Sequence, residues 1–284
     1  MRSLLLPASA LLLLTACGTQ QAASPSGDAA SSCPADPSWT ERGGVRITGL
    51  RGAACDRVEF EITHDGTEPF TYTVSLAFTK ETGEVMSTGE ETVESVEPGR
   101  PVRRTVVMTG GGERVSISMV RSVPTAEAPS AGGACPSSGV RVYADEGNAA
   151  MGLRVVGLHL ENCGTEPYQL NGYPKVQILD EEHEPVEGVR ILKGGDAIAS
   201  GTGADAPPRP LTLAPGERAW AGLVWRNTTQ FGEAVNAPYV RTWAKPGAAP
   251  VTVVPELDLG TTGKLGVGAW QKEEQERQQE RPGT

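Results

Sequence analysis

The sequence is poor in aromatic side chains, in histidine and in segments with helical periodicity. Trp, Tyr and Phe together form 5% of its 284 residues, and there are three histidines. Because few stretches repeat apolar residues at helical spacing, an all-α protein or a TIM barrel is a poor match. The net charge of -10 argues against a nucleic-acid or anionic-lipid partner, since both require a basic face. We therefore expect no nucleic-acid partner.

Catalytic signatures are also missing from the sequence. It contains no GxSxG motif, no HExxH motif, and no CxxC or closely spaced Cys/His pair. We predict a non-enzymatic protein with no catalytic residue, no metal site and no cofactor. The alternative is an envelope hydrolase or a metal-handling protein whose site brings together His159, His183 and the acidic turn around residues 180–184.

The N-terminus has the features of an export signal. Arg2 is followed by an apolar stretch over residues 4–16, which is too short to span a bilayer. The run Leu14–Cys17 (LTAC) resembles the lipobox of bacterial lipoproteins, L-x-[AG]-C. That resemblance implies removal of residues 1–16 and acylation of Cys17, which anchors the chain at the extracytoplasmic face of the cell membrane. The alternative is an ordinary signal peptide with a chance cysteine.

After the expected removal of residues 1–16, the chain begins and ends with polar segments. Residues 17–32 contain no large apolar side chain after the cysteine, which predicts a flexible tether. Residues 271–284 are charged and carry no apolar stripe, so we expect a solvated polar tail.

Four cysteines remain after Cys17, and an even number in an exported chain indicates disulfides. Residues 123–134 (VPTAEAPSAGGA) have the composition of a linker, with two cysteines on each side. Of the three possible connectivities, this arrangement favours Cys33–Cys55 and Cys135–Cys163.

An internal repeat suggests the fold. The run His64–Phe70 (HDGTEPF) recurs as Asn162–Tyr168 (NCGTEPY), and each copy follows a strand with alternating apolar residues. Pro-Gly turns and further alternating strands follow in both copies. With 35 Gly and 22 Pro to punctuate short strands, this pattern predicts an all-β protein. We expect two tandem immunoglobulin-like β-sandwich domains, over residues 33–122 and 135–270.

The second copy is similar to a known family. Its Cys135 is followed by the runs Leu160–Gly164 (LENCG), Leu170–Pro174 (LNGYP) and Leu213–Gly216 (LAPG). With these motifs, residues 135–270 resemble the DUF4232 family, which occurs in secreted and lipid-anchored proteins of actinobacteria. The resemblance implies an extracytoplasmic β-sandwich with a Cys135–Cys163 disulfide. It implies no reaction and no residue-level site.

The most plausible role is therefore binding or cell-envelope organisation, with an envelope protein or glycan as partner. Loops at one end of a sandwich commonly carry recognition, which points to loops 193–210 and 226–238. Repeat alignment turns Trp225 inward and Trp220 outward, and covering of Trp220 by loop 193–210 or by the first domain is the alternative to its exposure. The candidate binding residues are Trp220, Asp196, Arg209 and Phe231.

Overall fold

The computed structural model describes residues 41–52, 55–109 and 114–273, and this part of the chain is all-β, as predicted. The first strands are β1 (Glu41–Arg42), β2 (Val45–Arg51), β3 (Arg57–Ile62), β4 (Phe70–Thr79), β5 (Val85–Val96), β6 (Val102–Val107) and β7 (Arg114–Pro124). A 3-10 turn, Thr125–Glu127, follows. The predicted signal peptide, Cys17, the predicted tether and the part of the predicted tail beyond residue 273 lie outside the described residues.

The remaining strands form the second half of the chain. They are β8 (Val140–Ala144), β9 (Asn148–Ala150), β10 (Leu153–Asn162), β11 (Tyr168–Asn171), β12 (Lys175–Leu179), β13 (Arg190–Lys193), β14 (Pro210–Leu213), β15 (Arg218–Arg226), β16 (Val235–Ala237), β17 (Tyr239–Trp243), β18 (Val251–Val253), β19 (Leu257–Gly260), β20 (Lys264–Val267) and β21 (Gln271–Lys272).

The first half consists of two sheets that share one core. Strands pair in the order β1-β2-β3-β6 in one sheet and β5-β4-β7 in the other, all antiparallel. The alternation in β3 places Val58, Phe60 and Ile62 in the core at 0% exposure. Alternate residues of β4 are buried in the same cluster from the facing sheet. Period-2 patterning therefore specifies which face of each strand is buried.

The second half repeats this plan with a larger sheet. Strands β13-β20-β15-β10-β8 form its main path, β21 pairs with β15, and β9 pairs with β10. A three-stranded sheet, β12-β17-β18, supplies the other side of the core. The pairing of β13 with β20 is parallel, and the other pairings of this half are antiparallel. Trp225 is 1% exposed within this core, in agreement with its predicted inward orientation.

The two repeated Pro-Gly turns need glycine for their backbone conformation. Gly99 has φ 67° and Gly216 has φ 82°, which lie in the left-handed region that side chains other than glycine rarely adopt. Each turn leads into the strand that returns across its sheet, β6 in the first half and β15 in the second. The repeat seen in the sequence therefore corresponds to equivalent turns in the two halves.

The two halves contact each other through an apolar and polar junction. Val123, Leu179 and Tyr239 form a small buried cluster that joins β7 to β12 and β17. Beside this cluster, His183 Nε2 donates to the carbonyl oxygen of Ser122 at 2.7 Å, and its ring stacks on Tyr239 at 4.5 Å. Burial at this junction raises the pKa of Tyr239.

The first residues of the predicted linker, 123–127, are ordered and pack on the second half. β7 extends to Pro124, two residues into the segment predicted as a linker, and the 3-10 turn comes next. Glu127 in this turn is buried, accepts a hydrogen bond from Thr252 Oγ1 at 2.7 Å and pairs with Arg241. Linker composition did not predict this packing, because it depends on a strand more than a hundred residues later.

No helix long and apolar enough to cross a membrane occurs within residues 41–52, 55–109 and 114–273.

Candidate functional site

An aromatic row crosses the outer face of the large sheet in the second half. Tyr143 of β8 lies opposite His159 of β10, and His159 lies opposite Trp220 of β15. The rings of Tyr143 and His159 are stacked, with centroids 5.0 Å apart and planes inclined by 11°. Because neighbouring strands place these residues in register, the sheet itself aligns the three rings.

Two carboxylates hold the central histidine of this row. Nδ1 of His159 is 2.6 Å from Oε1 of Glu273, and Nε2 is 3.0 Å from Oδ2 of Asp145. Asp145 is itself fixed, because its Oδ1 accepts backbone hydrogen bonds from Gly147 and Gly157. Since both ring nitrogens are engaged, neither is available here to activate a nucleophile or to bind a metal.

Trp220 fills a shallow depression made by glycines. A Cβ at Gly222 would lie 2.9 Å from its Cη2, and a Cβ at Gly157 would lie 2.3 Å from its Nε1. Gly203, in loop 193–210, approaches the same ring, so the loop covers part of it and the residue is half-buried. Of the two arrangements predicted for Trp220, the structure shows covering by loop 193–210.

Of the other candidate residues, Phe231 lies apart from Trp220. Asp196 and Arg209 are exposed on loop 193–210, which folds back over the large sheet. Phe231 follows the opposite end of β15, which continues from Trp220 to Arg226, a distance of roughly 20 Å. The structure thus separates the two loops that were expected to act together.

The end of the second half that carries Phe231 has a second exposed apolar residue. Phe231 and Met151 are both 100% exposed. Their loops are neighbours, because Asn227 N donates to the carbonyl oxygen of Gly152 at 2.9 Å. We call this surface the Phe231 end. The sequence analysis did not identify Met151, although its position directly before Gly152 is a signal for a turn at an exposed tip.

The base of the Phe231 loop is braced by one carboxylate. Asp258 accepts hydrogen bonds from Trp225 Nε1 at 2.7 Å, from Asn227 Nδ2 at 2.9 Å and from Arg154 Nη2 at 3.0 Å. Further along the loop, Gln230 N donates to Thr261 Oγ1 at 2.9 Å. These contacts place Phe231 on a loop whose backbone is held by the rest of the fold.

His159 lies apart from the other two histidines, whose rings both contact Phe70. His64 contacts the hydroxyl of Tyr72 at 3.0 Å and the carbonyl oxygen of Glu68 at 2.9 Å, while His183 belongs to the junction between the halves. His159 and His183 share no partner, so the site expected for a hydrolase or a metal-handling protein from these residues is not assembled. No group of three or more His, Cys, Asp or Glu side chains in the described part could hold a metal ion.

A cleft lies between the two halves, beside the aromatic row. Tyr143 and Asp145 line it from the second half, and Thr73, Glu90 and Arg121 line it from the first, around a cavity of about 360 Å³. Partial burial raises the pKa of the Tyr143 hydroxyl. Tyr143 alternates with the apolar residues Val140 and Val142 of β8, a pattern that predicts an outward-facing side chain. The sequence analysis did not identify it as a candidate residue.

One predicted disulfide falls within the described residues. The sulfur atoms of Cys135 and Cys163 are 1.94 Å apart and their Cα atoms 5.6 Å apart, which fits the pairing predicted for the second half. Cys55 is disulfide-bonded, but its predicted partner Cys33 lies outside the described residues. The Cys33–Cys55 pairing therefore stays a prediction.

Comparison with known protein families addresses the second half directly. Residues 135–271 match the family model described as "Domain of unknown function (DUF4232)". This half resembles the DUF4232 family. The matched residues include the disulfide, the aromatic row and the Phe231 end, whereas the first half lies outside the match. No curated protein matches the chain.

Proposed function

We propose that the chain is a lipid-anchored, extracytoplasmic binding protein without catalytic activity, built from two tandem immunoglobulin-like domains. The LTAC run before residue 18 and the polar segment after it support the anchor. Two cores, each enclosed between two β-sheets of mainly antiparallel strands, support the domain assignment. The family model that matches residues 135–271 describes a domain of unknown function and names no reaction.

The Phe231 end is the surface through which we expect this protein to bind an envelope protein. The observation that carries this proposal is the full exposure of Phe231 and Met151 on adjoining loops. Aromatic and methionine side chains are enriched at the centres of protein interfaces. Because Asp258 braces the base of this loop, its backbone loses less conformational entropy on binding than an unsupported loop would lose.

Replacement of the two tip residues tests this placement. We expect Phe231→Ser and Met151→Ser each to weaken partner binding about tenfold or more, without loss of folding, because neither side chain packs against the core. The partner is first captured by in-cell crosslinking of the anchored protein and identified. It is then purified and titrated against the soluble Cys17→Ala form and its tip variants.

Val107→Ser is the matched control, because Val107 is 63% exposed but lies on β6 of the first half. It should bind the purified partner as the parent does. Equal affinity of the parent, the tip variants and the control would place the interface elsewhere.

A further inference from the structure

The floor of the cleft between the halves is a polar strand surface. On the outer face of the sheet β5-β4-β7, Thr92, Thr73 and Arg121 lie side by side in register. The next row on the same face contains Glu90 and Met119, on either side of β4. Residues of β4 that alternate with these point into the core, so this face is free to meet another element.

The opposite wall comes from the second half. Tyr143, Asp145, Val253 and Val254 border the main cavity of about 360 Å³. A second cavity of about 170 Å³ shares Thr73 and Val254 with the first, so the two form one continuous cleft. This size falls within the range of roughly 300–1,000 Å³ typical of small-ligand sites, which often occur between domains.

Several polar groups along the cleft have unused hydrogen-bonding capacity. Among the described residues, the hydroxyls of Thr73, Thr92 and Tyr143 have no hydrogen-bond partner. Glu90 receives one long contact, from Ser75 Oγ at 3.5 Å, and forms no ion pair within the described part of the chain. Hydroxyls and a carboxylate in this state can bind the hydroxyl groups of a ligand.

The charged side chains that line the cleft indicate whether it favours an anionic or an uncharged ligand. Arg121 donates from Nη2 to Glu256 at 2.8 Å and from Nε to the other oxygen of the same carboxylate. The single cation of the cleft is thus neutralised, which disfavours an anionic ligand. Met119 and Val254 add apolar surface, on which C–H groups of a ligand can pack.

We infer that this cleft binds a short, uncharged saccharide, with Thr73, Thr92, Glu90 and Tyr143 bonding its hydroxyl groups. His159 is a positioning residue for this site, because its ring stacks on Tyr143 and does not line the cavity. The inference is independent of the proposed docking of a protein partner at the Phe231 end.

The experiment titrates the soluble Cys17→Ala form with uncharged trisaccharides of glucose, mannose and N-acetylglucosamine, followed by calorimetry and ligand-observed NMR. We expect at least one of them to bind in the millimolar range or tighter. Thr73→Val and Tyr143→Phe should each weaken that binding about tenfold, because each removes one hydroxyl and keeps the shape of the side chain.

Thr88→Val is the matched control, since Thr88 is an exposed threonine of β5 outside the cleft lining. It should leave saccharide affinity unchanged. Absence of binding by all three trisaccharides would overturn the inference, as would affinity that is unaffected by both cleft variants. A tetralysine peptide that binds where the trisaccharides do not would reassign the cleft to a cationic ligand through Glu90.

Discussion

The side chain of Glu61 makes the stability of this fold depend on pH. Its carboxylate accepts hydrogen bonds from Arg103 Nε at 2.8 Å and Arg46 Nη2 at 3.1 Å. The Arg103 guanidinium, followed by that of Arg46, holds the pKa of Glu61 below its usual value. A carboxyl group whose pKa is lowered on folding stabilises the protein above its unfolded pKa. That stabilisation is lost as the pH falls through the folded value.

We therefore predict that Glu61→Gln flattens the acid limb of the stability profile. Between pH 6 and pH 3 the parent should lose thermal stability progressively, and the variant should lose less over the same interval, because it has no carboxylate at this position to protonate. Calorimetric melting across this range measures the difference.

Glu59→Gln is the control for this experiment, because Glu59 lies on the same strand and pairs with one arginine, Arg51. Its acid limb should follow that of the parent. A Glu61→Gln profile parallel to the parent would show that this carboxylate does not contribute to acid sensitivity.

At the scale of elements, loop 193–210 is fixed by close packing on glycines. A Cβ at Gly222 would lie 2.8 Å from the Cβ of Ala204 and 2.9 Å from Trp220 Cη2. Ala204 is 0% exposed, so the loop has little room to retreat. Gly222→Ala should therefore lower the free energy of unfolding by about 1–3 kcal/mol, as overpacking does elsewhere.

Urea unfolding followed by tryptophan fluorescence measures this loss. Gly132→Ala is the comparison, because a Cβ there would meet nothing within 4 Å and its φ lies outside the left-handed region. It should change stability by less than about 0.5 kcal/mol. Equal stability of the two variants would mean that the loop moves to accommodate the added methyl group with no loss in the free energy of unfolding.

Elements with period-2 patterns could be predicted from the sequence. Alternation alone assigned Val156, Leu158 and Leu160 of β10 to the core, and all are buried. Covering of Trp220 by loop 193–210 is one of the two arrangements that the sequence offers, and it is the one observed. The contacts that hold the loop could not be predicted, because its Gly- and Ala-rich composition has no periodicity and its contacts come from distant strands. The same limit applies to His159, whose partner Glu273 is 114 residues away in sequence.

For the candidate site residues, too, local features could be predicted from the sequence, whereas contacts between distant segments could not. Exposure of Phe231 on a loop was expected from sequence, because loop tips face solvent. The cleft was not foreseen, since it is made by β4, β5 and β7 against β8 and the segment after β18. No local signal specifies such a contact, because it depends on how the two halves pack.

At the scale of the whole molecule, the junction fixes how the halves are oriented. His183 crosses it with a hydrogen bond to Ser122 and a ring contact to Phe70 at 5.3 Å, and its ring stacks on Tyr239 of its own half at 4.5 Å. Arg121 adds an ion pair to Glu256 beside it. A cleft lined from both halves keeps its shape only while these contacts hold.

Removal of the His183 ring should therefore let the halves reorient while each stays folded. Residual dipolar couplings of the parent should fit one alignment tensor for both halves, whereas His183→Ala should require two. Glu182→Ala is the control, because Glu182 is an exposed residue of the same turn, and it should retain the single tensor. Two tensors in the parent, or one in His183→Ala, would contradict a junction held by this ring. Because the cleft depends on the junction, His183→Ala should also weaken any saccharide binding that Thr73→Val weakens.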